Sequence, residues 1–240
     1  MTTTGEVALS YQLALKNQLD ITANNIANMA TPGFQSSHPI FAEFLVSVGE
    51  TGEEVAYVVD TGTVRNLNPG PANFTGNPLD ITIEGRGYFV VENEDGISYT
   101  RNGAFRLDAS GQLVTSSGAT VLNEGNDPIV IAPGESQINI SSDGTINTEN
   151  GAIGRFRLVE FTNEQAMTNL GDSLLASEEE PVEAADASVV QGMLEGSNVI
   201  SVTEISRMIQ LLRSYQTANQ LITTEDEREQ QAIETLTRAV

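Results

Sequence analysis

A stripe of side chains near the end of the chain most constrains the fold. Its positions recur every three or four residues, and they are Ile205, Met208, Leu212, Tyr215, Asn219, Ile222, Asp226, Glu229, Ile233, Leu236 and Val240. This heptad spacing is typical of one face of an α-helix, which would be about 55 Å long at 1.5 Å per residue. Such a long, narrow helix cannot bury its stripe in a small globule. We therefore expect it to pack on a second helix and on neighbouring molecules.

A weaker stripe near the N-terminus supplies that second helix. Thr3 and Glu6 have capping-box spacing, and the pattern predicts a helix from about Gly5 to Met29. Its stripe positions are Ala8, Gln12, Leu15, Leu19, Thr22, Ile26 and Met29. Ser201 and Glu204 have the same capping-box spacing at the start of the C-terminal helix.

Three positions of the C-terminal stripe are polar, and each has two interpretations. Asn219 either fixes the register of the helix pair, as a buried seam asparagine does, or lies at its margin. Asp226 and Glu229 are costly to bury without a partner. Either the helix leaves its partner near Thr223, or arginines of an adjacent subunit meet these two carboxylates.

The residues between the two helices change to the period-two pattern of β-strands. Residues 81–84 alternate between apolar and polar side chains, and glycine-containing turns follow at short intervals. We predict an α+β fold in which long N- and C-terminal helices pair as a coiled-coil-like domain with an inserted antiparallel β-rich domain. The predicted parts are a discontinuous helical domain of residues 1–34 and 197–240, an extended connector of residues 35–77 and a β-rich domain of residues 78–196.

Charge and composition exclude several classes of function. The chain has 33 acidic and 11 basic residues and a net charge of −22, so it cannot supply the cations that nucleic-acid phosphates need. It has no cysteine, and no segment approaches the ~20 apolar residues that span a bilayer. The first ten residues lack the basic region of a secretory signal peptide. The one histidine, His38, has no nucleophile motif near it, which favours an ordinary surface or linker residue.

The N-terminal helix ends in a sharp break of the chain. Pro32 disfavours the helical conformation of the residue before it, Gly33 permits a positive φ, and Phe34 supplies an apolar anchor beyond the break. The asparagines before the break, Asn24, Asn25 and Asn28, can satisfy backbone groups at the helix end or bond to a neighbour.

Three separated blocks resemble the bacterial flagellar rod and hook proteins, the axial family of the flagellum. The first is Asn-Asn-Ile-Ala-Asn-Met-Ala-Thr-Pro-Gly-Phe at residues 24–34. The second runs from Thr-Gly-Asn-Pro-Leu-Asp-Ile at residues 75–81 through Tyr-Thr-Arg-Asn-Gly-Ala-Phe at residues 99–105 to residue 114. The third begins with Gly-Ser-Asn-Val at residues 196–199 and leads to Arg-Ser-Tyr-Gln at residues 213–216. Within the family, the modest length and the Thr-Glu-Asp-Glu-Arg segment at residues 224–228 are most similar to members from the proximal rod.

The resemblance implies a structural subunit that polymerises through its terminal helices into the tubular drive shaft. It implies copies of itself and other rod proteins as partners, a basal-body location across the periplasm, and export through the flagellar type III apparatus without a cleaved signal peptide. It implies no enzyme activity, cofactor, metal, small-molecule substrate, nucleic acid or membrane insertion. The residues expected to serve assembly are Asn24, Asn25, Asn28, Pro32, Gly33, Phe34, Leu212, Tyr215 and Ile222. We expect Gly33→Val to hinder assembly more than it destabilises the β-rich domain.

Two alternatives stay open. A distal-rod or hook subunit belongs to the same axial family and shares the first two sequence blocks. A periplasmic enzyme or binding module on a rod-type scaffold would instead have a well-formed pocket in the β-rich domain, with converging polar groups and shifted pKa values.

Overall fold

The computed structural model describes residues 3–48, 53–132, 134–135 and 137–238 of the 240-residue chain. Contacts between residues divide the chain into two compact units. The helical unit comprises Met1–Ala27, Ser36–Asn66 and Ile200–Val240, and the β-rich unit comprises Asn28–Gln35 and Leu67–Val199. The chain is therefore α+β, with a helix near each end and a β-rich middle.

The chain crosses between the two units four times, after Ala27, Gln35, Asn66 and Val199. These junctions differ from the predicted domain boundaries, which follow residues 34, 77 and 196. The main difference is that residues 28–35 belong to the β-rich unit, whereas residues 36–66 belong to the helical unit. The helical unit is discontinuous in sequence and contains three segments of the chain.

Two helices and one hairpin form the helical unit. They are α1 (Thr3–Ala27), α2 (Ser201–Arg238), β1 (Ser37–Val48) and β2 (Glu53–Arg65). The two strands pair antiparallel with one bulge, and both pack against α1. Residues 35–77, predicted as an extended connector, therefore begin with a long hairpin. None of the helices described is long and apolar enough to cross a bilayer.

The seam of α1 follows the predicted stripe over most of its length. The buried stripe positions are Ala8, Leu15 and Thr22, and the half-buried ones are Gln12, Leu19 and Ile26. Met29 lies beyond the helix and is 45% exposed, so the prediction was wrong at that position. The helix ends at Ala27 because the chain turns toward Pro32.

The inward face of α2 has heptad spacing, but its register differs from the predicted one. Half of its positions are those predicted, and they are Met208, Tyr215, Ile222 and Glu229. The other half lie one residue earlier than predicted, and they are Glu204, Leu211, Ala218 and Glu225. Ile205 and Leu212 are 46% and 44% exposed, so placing them in the helix–helix seam was wrong. Asp226 is exposed, and the side chains of Leu236 and Val240 lie outside the described part of the chain.

The shift in register follows from the side chains that meet α1. The buried cluster between the helices comprises Leu15, Leu211 and Ala218, with Leu19 and Tyr215 packed against it. The small side chain of Ala218 lets the helices approach, whereas Asn219 in its place would bring a polar amide into an apolar contact. Asn219 instead lies at the margin, where its Oδ1 accepts a 3.5 Å hydrogen bond from Gln12. The packing supports a paired-helix unit, and its coiled-coil form stays a prediction.

The β-rich unit contains short strands whose pairings are antiparallel. Its strands are β3 (Ala72–Phe74), β4 (Ile81–Glu84), β5 (Tyr88–Asn93), β6 (Gly96–Thr100), β7 (Arg106–Leu107), β8 (Leu113–Val114), β9 (Thr120–Val121), β10 (Asn139–Ile140), β11 (Thr145–Thr148), β12 (Gly151–Arg155), β13 (Leu158–Glu160), β14 (Thr168–Gly171), β15 (Leu174–Ala176), β16 (Val182–Glu183), β17 (Ser188–Gln191) and β18 (Met193–Glu195). A 3₁₀ turn at Glu164–Ala166 follows β13.

The largest sheet has the order β14-β15-β6-β5-β9-β8-β7, and β13 joins it beside β5. Both faces of β5 are covered, because Tyr88 and Val90 belong to one buried cluster while Phe89 and Val91 belong to another. This explains why residues 88–91 are continuously apolar instead of alternating. The core therefore lies on both sides of β5.

Candidate assembly site

The residues predicted to serve assembly fall in two different units. Those in the helical unit are Asn24, Asn25, Leu212, Tyr215 and Ile222, and those in the β-rich unit are Asn28, Pro32, Gly33 and Phe34. Each group has its own set of contacts within its unit.

Asn25 is the most tightly bound of the predicted residues. Its side chain is 1% exposed, its Nδ2 donates to the Ser37 carbonyl at 2.9 Å, and its Oδ1 accepts from the Ser37 amide at 2.9 Å. The carboxamide thus pairs with both backbone groups of one residue, as a neighbouring strand would. Asn24, one residue earlier, is exposed. Asn25 therefore fixes the start of the hairpin to α1.

The same amide joins a polar cluster on α2. Asn25 Nδ2 lies 3.4 Å from Glu204 Oε2, and Glu204 Oε1 accepts a 3.1 Å hydrogen bond from Arg207 Nη1. Arg207 Nη1 also lies 3.1 Å from His38 Nδ1 on β1. A capping box would place the Glu204 carboxylate against the first amides of α2. In the structure the carboxylate instead contacts Asn25 and Arg207. His38 therefore has a structural partner on α2.

The outer side of α2 carries a second apolar stripe, which we call the outer stripe. Its members are Val202, Ile205, Ile209 and Leu212, with exposed fractions of 76%, 46%, 48% and 44%. Their spacing of three, four and three residues places them along one face of the helix. The single stripe predicted from sequence combined members of the inner and outer faces. Ile209 is apolar but occupies none of the positions of the predicted stripe. It could therefore have indicated a second apolar face on the helix.

The remaining predicted residues of α2 lie on its inner face. Tyr215 packs against the buried cluster between the helices, and Ile222 is half-buried one heptad later. They therefore contribute to the folding of the helical unit itself.

In the β-rich unit, the turn before Gly33 is held by its own polar groups. The Thr31 amide donates to the Asn28 carbonyl at 3.1 Å, and the Thr31 hydroxyl donates to Asn28 Oδ1 at 3.2 Å. Pro32 and Phe34 are both half-buried. Asn28 therefore stabilises the turn that redirects the chain after α1.

Gly33 is required by both conformation and space. Its φ is +68°, its amide donates to the Glu195 carbonyl at 2.8 Å, and a Cβ there would lie 2.6 Å from the backbone carbonyl carbon of Arg101. Any larger residue would displace backbone of the β-rich unit. This geometry argues against our expectation that Gly33→Val would hinder assembly more than it destabilises that unit.

Beneath Gly33 lies a buried ion pair that the sequence analysis did not identify. Arg101 and Glu195 are 7% and 4% exposed, and Arg101 Nε and Nη2 both lie 2.8 Å from Glu195 Oε2. Arg101 also donates to backbone carbonyls of Ile83, Gly85 and Gly87 at 2.9–3.3 Å. One sequence feature could have indicated this ion pair. It is an arginine that directly follows the buried end of a strand, in a chain with few cations.

Segments near the four junctions meet around this pair within the β-rich unit. Glu195 Oε1 accepts from the Gly70 amide at 3.2 Å, while its backbone carbonyl accepts from Gly33. Asn198 donates its amide to the Phe34 carbonyl at 3.2 Å and its Nδ2 to the Asn68 carbonyl at 2.8 Å. The arrangement holds the connecting segments together on the β-rich side.

Several charged groups of the β-rich unit pair with one another or with polar groups nearby. Arg86 Nη2 lies 2.6 Å from Glu164 Oε1, and the buried Tyr88 hydroxyl donates to Glu164 Oε2 at 2.8 Å. The hydrogen bond to Glu164 raises the pKa of Arg86. Hydrogen bonds from the Ser110 hydroxyl and then from the Gln112 amide lower the pKa of Asp108. These contacts stabilise turns and sheet ends.

The β-rich unit also has a cleft of about 430 Å³. Its polar lining includes Glu124, Arg155, Arg157 and Glu183. Arg155 pairs with Glu124 at 2.8 Å, and Arg157 bonds to Asn126, so these charges are directed to other protein groups. Among the residues described, no group of three or more His, Cys, Asp and Glu side chains is arranged to hold a metal ion.

Three protein-family models match separate stretches of the chain. The flagella basal body rod protein model matches residues 6–35, which span most of α1 and the turn at Gly33. The flagellar hook protein FlgE/F/G D1 domain model matches residues 82–148. The flagellar basal body rod FlgEFG protein C-terminal model matches residues 190–235.

Several relatives match over nearly their whole length. The flagellar basal-body rod protein FlgF of Caulobacter vibrioides is 35% identical over 235 residues, covering 96% of each chain. FlgF of Salmonella typhimurium is 35% identical over 233 residues, covering 90% of this chain and 91% of the relative. The flagellar basal-body rod protein FlgG of Bacillus subtilis is 30% identical over 241 residues, covering 88% and 90%.

Proposed function

The chain belongs to the flagellar basal-body rod protein family, and on that premise we propose that it occupies the proximal part of the rod. It is a structural subunit of the basal-body rod. Support for the proximal position comes from FlgF relatives that match at 30–35% identity over most of the chain. The proposed action is polymerisation through the terminal helices into the tubular drive shaft, without catalysis.

The observation that carries the proposed polymerisation through the helices is the outer stripe of α2. Val202, Ile205, Ile209 and Leu212 remain 44–76% exposed after α1 has covered the inner face. Complete burial of an aliphatic side chain contributes about 1.5–3 kcal/mol, so covering the remaining area of each contributes roughly 1 kcal/mol. Four such residues acting together supply enough free energy for a repeated helix contact. The net charge of −22 opposes unspecific association of free subunits.

The proposed partners are copies of this chain and other rod proteins. The proposed location is the rod where it crosses the periplasm, reached through the flagellar type III export apparatus without a cleaved signal peptide. Within the helical unit, Asn25 and Tyr215 hold the helices and the hairpin together, and Leu212 faces outward for a neighbour. Asn24 is exposed on the same helix.

Quantitative mass spectrometry of purified hook–basal bodies tests the proposal. We expect this chain at a small, fixed ratio to the other rod proteins. Leu212→Ser should lower that ratio severalfold, while Ile233→Ser should leave it unchanged. Ile233 is a suitable control because it is 60% exposed on the same helix but lies outside the outer stripe. Absence of the unmodified chain from intact basal bodies would refute the rod function.

The likeness to FlgG proteins favours an alternative to the proximal rod, namely a position farther out, in the distal rod or the hook. Cross-linking mass spectrometry of intact basal bodies distinguishes the two positions by identifying neighbours. Cross-links to proteins at the base of the rod would support the proximal position, and cross-links confined to hook subunits would overturn it.

A further inference from the structure

One segment of the β-rich unit is both uncharged and largely exposed. It comprises residues 67–78, Leu-Asn-Pro-Gly-Pro-Ala-Asn-Phe-Thr-Gly-Asn-Pro, and we call it the Phe74 segment. It contains no charged side chain, although the chain has 33 acidic residues and a net charge of −22. Its last eight residues, 71–78, are all exposed. It is therefore an uncharged surface on a strongly acidic protein.

Phe74 projects from the middle of this segment. Its exposed fraction is 81%, larger than that of any other large apolar side chain described. Full exposure of an aromatic side chain leaves a large apolar area in water, which association with another protein would remove. Phe74 is thus the natural anchor of a contact.

The backbone that carries Phe74 is held in one conformation. Strand β3 pairs with β18, with Phe74 opposite Met193. The Thr75 and Gly76 amides both donate to the Gly192 carbonyl, at 2.9 and 3.1 Å. Because the segment is already ordered by these bonds, a partner need not supply the free energy of ordering it.

We propose that the Phe74 segment is a docking face for a second copy of this chain in the rod. The inference rests on the proposed rod function, which brings equally acidic copies together. Contact between like charges is unfavourable, so copies with a charge of −22 should meet through surfaces that carry none. The Phe74 segment meets that condition and adds an aromatic anchor.

Val182 shows the contrast within the same unit. It is 56% exposed, but it lies between Glu180 and Glu183, and further glutamates precede Glu180. An acidic partner would meet repulsion there. Val182 is therefore a matched control position. Its side chain is exposed and apolar, as that of Phe74 is, but its neighbours in the sequence include charged residues.

Photo-cross-linking in assembled basal bodies tests the proposal. Phe74 is replaced by p-benzoylphenylalanine, cells are irradiated, and basal bodies are purified and analysed by mass spectrometry. We expect a product of twice the 25.6 kDa chain mass in which both peptides come from this chain. The same photoreactive residue at Val182 should give at least tenfold less of that product.

A second position guards against disturbance of the segment by the new residue. The photoreactive side chain at Ala72, also exposed on β3, leaves Phe74 intact and should give the same product. Cross-links only to a different protein, or none from either position while the chain is present in basal bodies, would overturn the proposal and leave the rod function standing. Absence of the unmodified chain from basal bodies would refute the rod function itself and the docking face with it.

Discussion

Replacing Arg101 by methionine should destabilise the β-rich unit strongly. Arg101 and Glu195 are 7% and 4% exposed, so removal of the guanidinium leaves a buried carboxylate without its cation. Breaking a buried pair from one side costs about 3–5 kcal/mol. Three backbone carbonyls also lose a charged donor. The loss is a large part of the 5–15 kcal/mol that typically stabilises a domain.

Hydrogen exchange of the full-length chain measures this effect. Exchange of the β5 amides reports global opening of the β-rich unit, and a loss of 3–5 kcal/mol accelerates it by about 10²- to 10⁴-fold. The segments around Gly33 and Gly70 should also exchange faster, because both bond to Glu195.

Arg86→Met is the matched control. Arg86 also pairs with a buried glutamate, Glu164, but its own side chain is 66% exposed, and the Tyr88 hydroxyl remains as a donor. Its effect should be smaller and confined to the region of Glu164. In the double variant Arg101→Met, Glu195→Gln, removal of the unpaired charge should restore part of the protection. Equal acceleration by Arg101→Met and Arg86→Met would refute the argument from burial.

Three other substitutions test further contributions to the stability of the two units. Asn25→Leu should lower the unfolding free energy of the helical unit by about 3 kcal/mol, since two partly buried backbone groups of Ser37 lose their partner, while Asn24→Leu at an exposed position should cost less in urea titration. Gly33→Ala should destabilise the β-rich unit more than Gly96→Ala in thermal unfolding, because both glycines have positive φ but only Gly33 has backbone within 4 Å of a new Cβ. The lowered pKa of Asp108 stabilises the fold above the unfolded-state pKa near 4, and this small contribution should disappear as the pH falls through the folded-state value. Asp108→Asn should remove that part of the pH dependence, and an unchanged acid unfolding curve would contradict it.

The sequence predicted the helices better than the contacts between them. Heptad spacing located both helices within a few residues, because periodicity depends on a face that must be buried. It did not resolve the register of α2, where the apolar residues Leu211 and Leu212 are adjacent and either can face α1. Packing against α1 determines the register of α2, since Ala218 rather than Asn219 fits against the α1 side chains. A single helix sequence does not contain that information.

The Gly33 site was predicted in part for a similar reason. The Pro-Gly pair indicated a sharp turn and a positive φ, and the structure has φ at +68°. The backbone that Gly33 approaches belongs to Arg101, 68 residues later in the chain, and that proximity follows from the tertiary fold. Arg101 itself lay inside a recognised sequence block, but its buried partner Glu195 is distant in sequence.

The pairing of α1 with α2 also fixes the order in which the molecule can be completed. Gln12 and Asn219, which bond across the helix pair, are 207 residues apart, so nearly the whole chain lies in the loop that this contact closes. The β-rich unit needs only residues 28–35 and 67–199, so it can condense before α2 is available. The helical unit must wait for α2. A chain that emerges N-terminus first, as from the ribosome or in the proposed export, therefore folds its helical unit last, and the outer stripe of α2 with it.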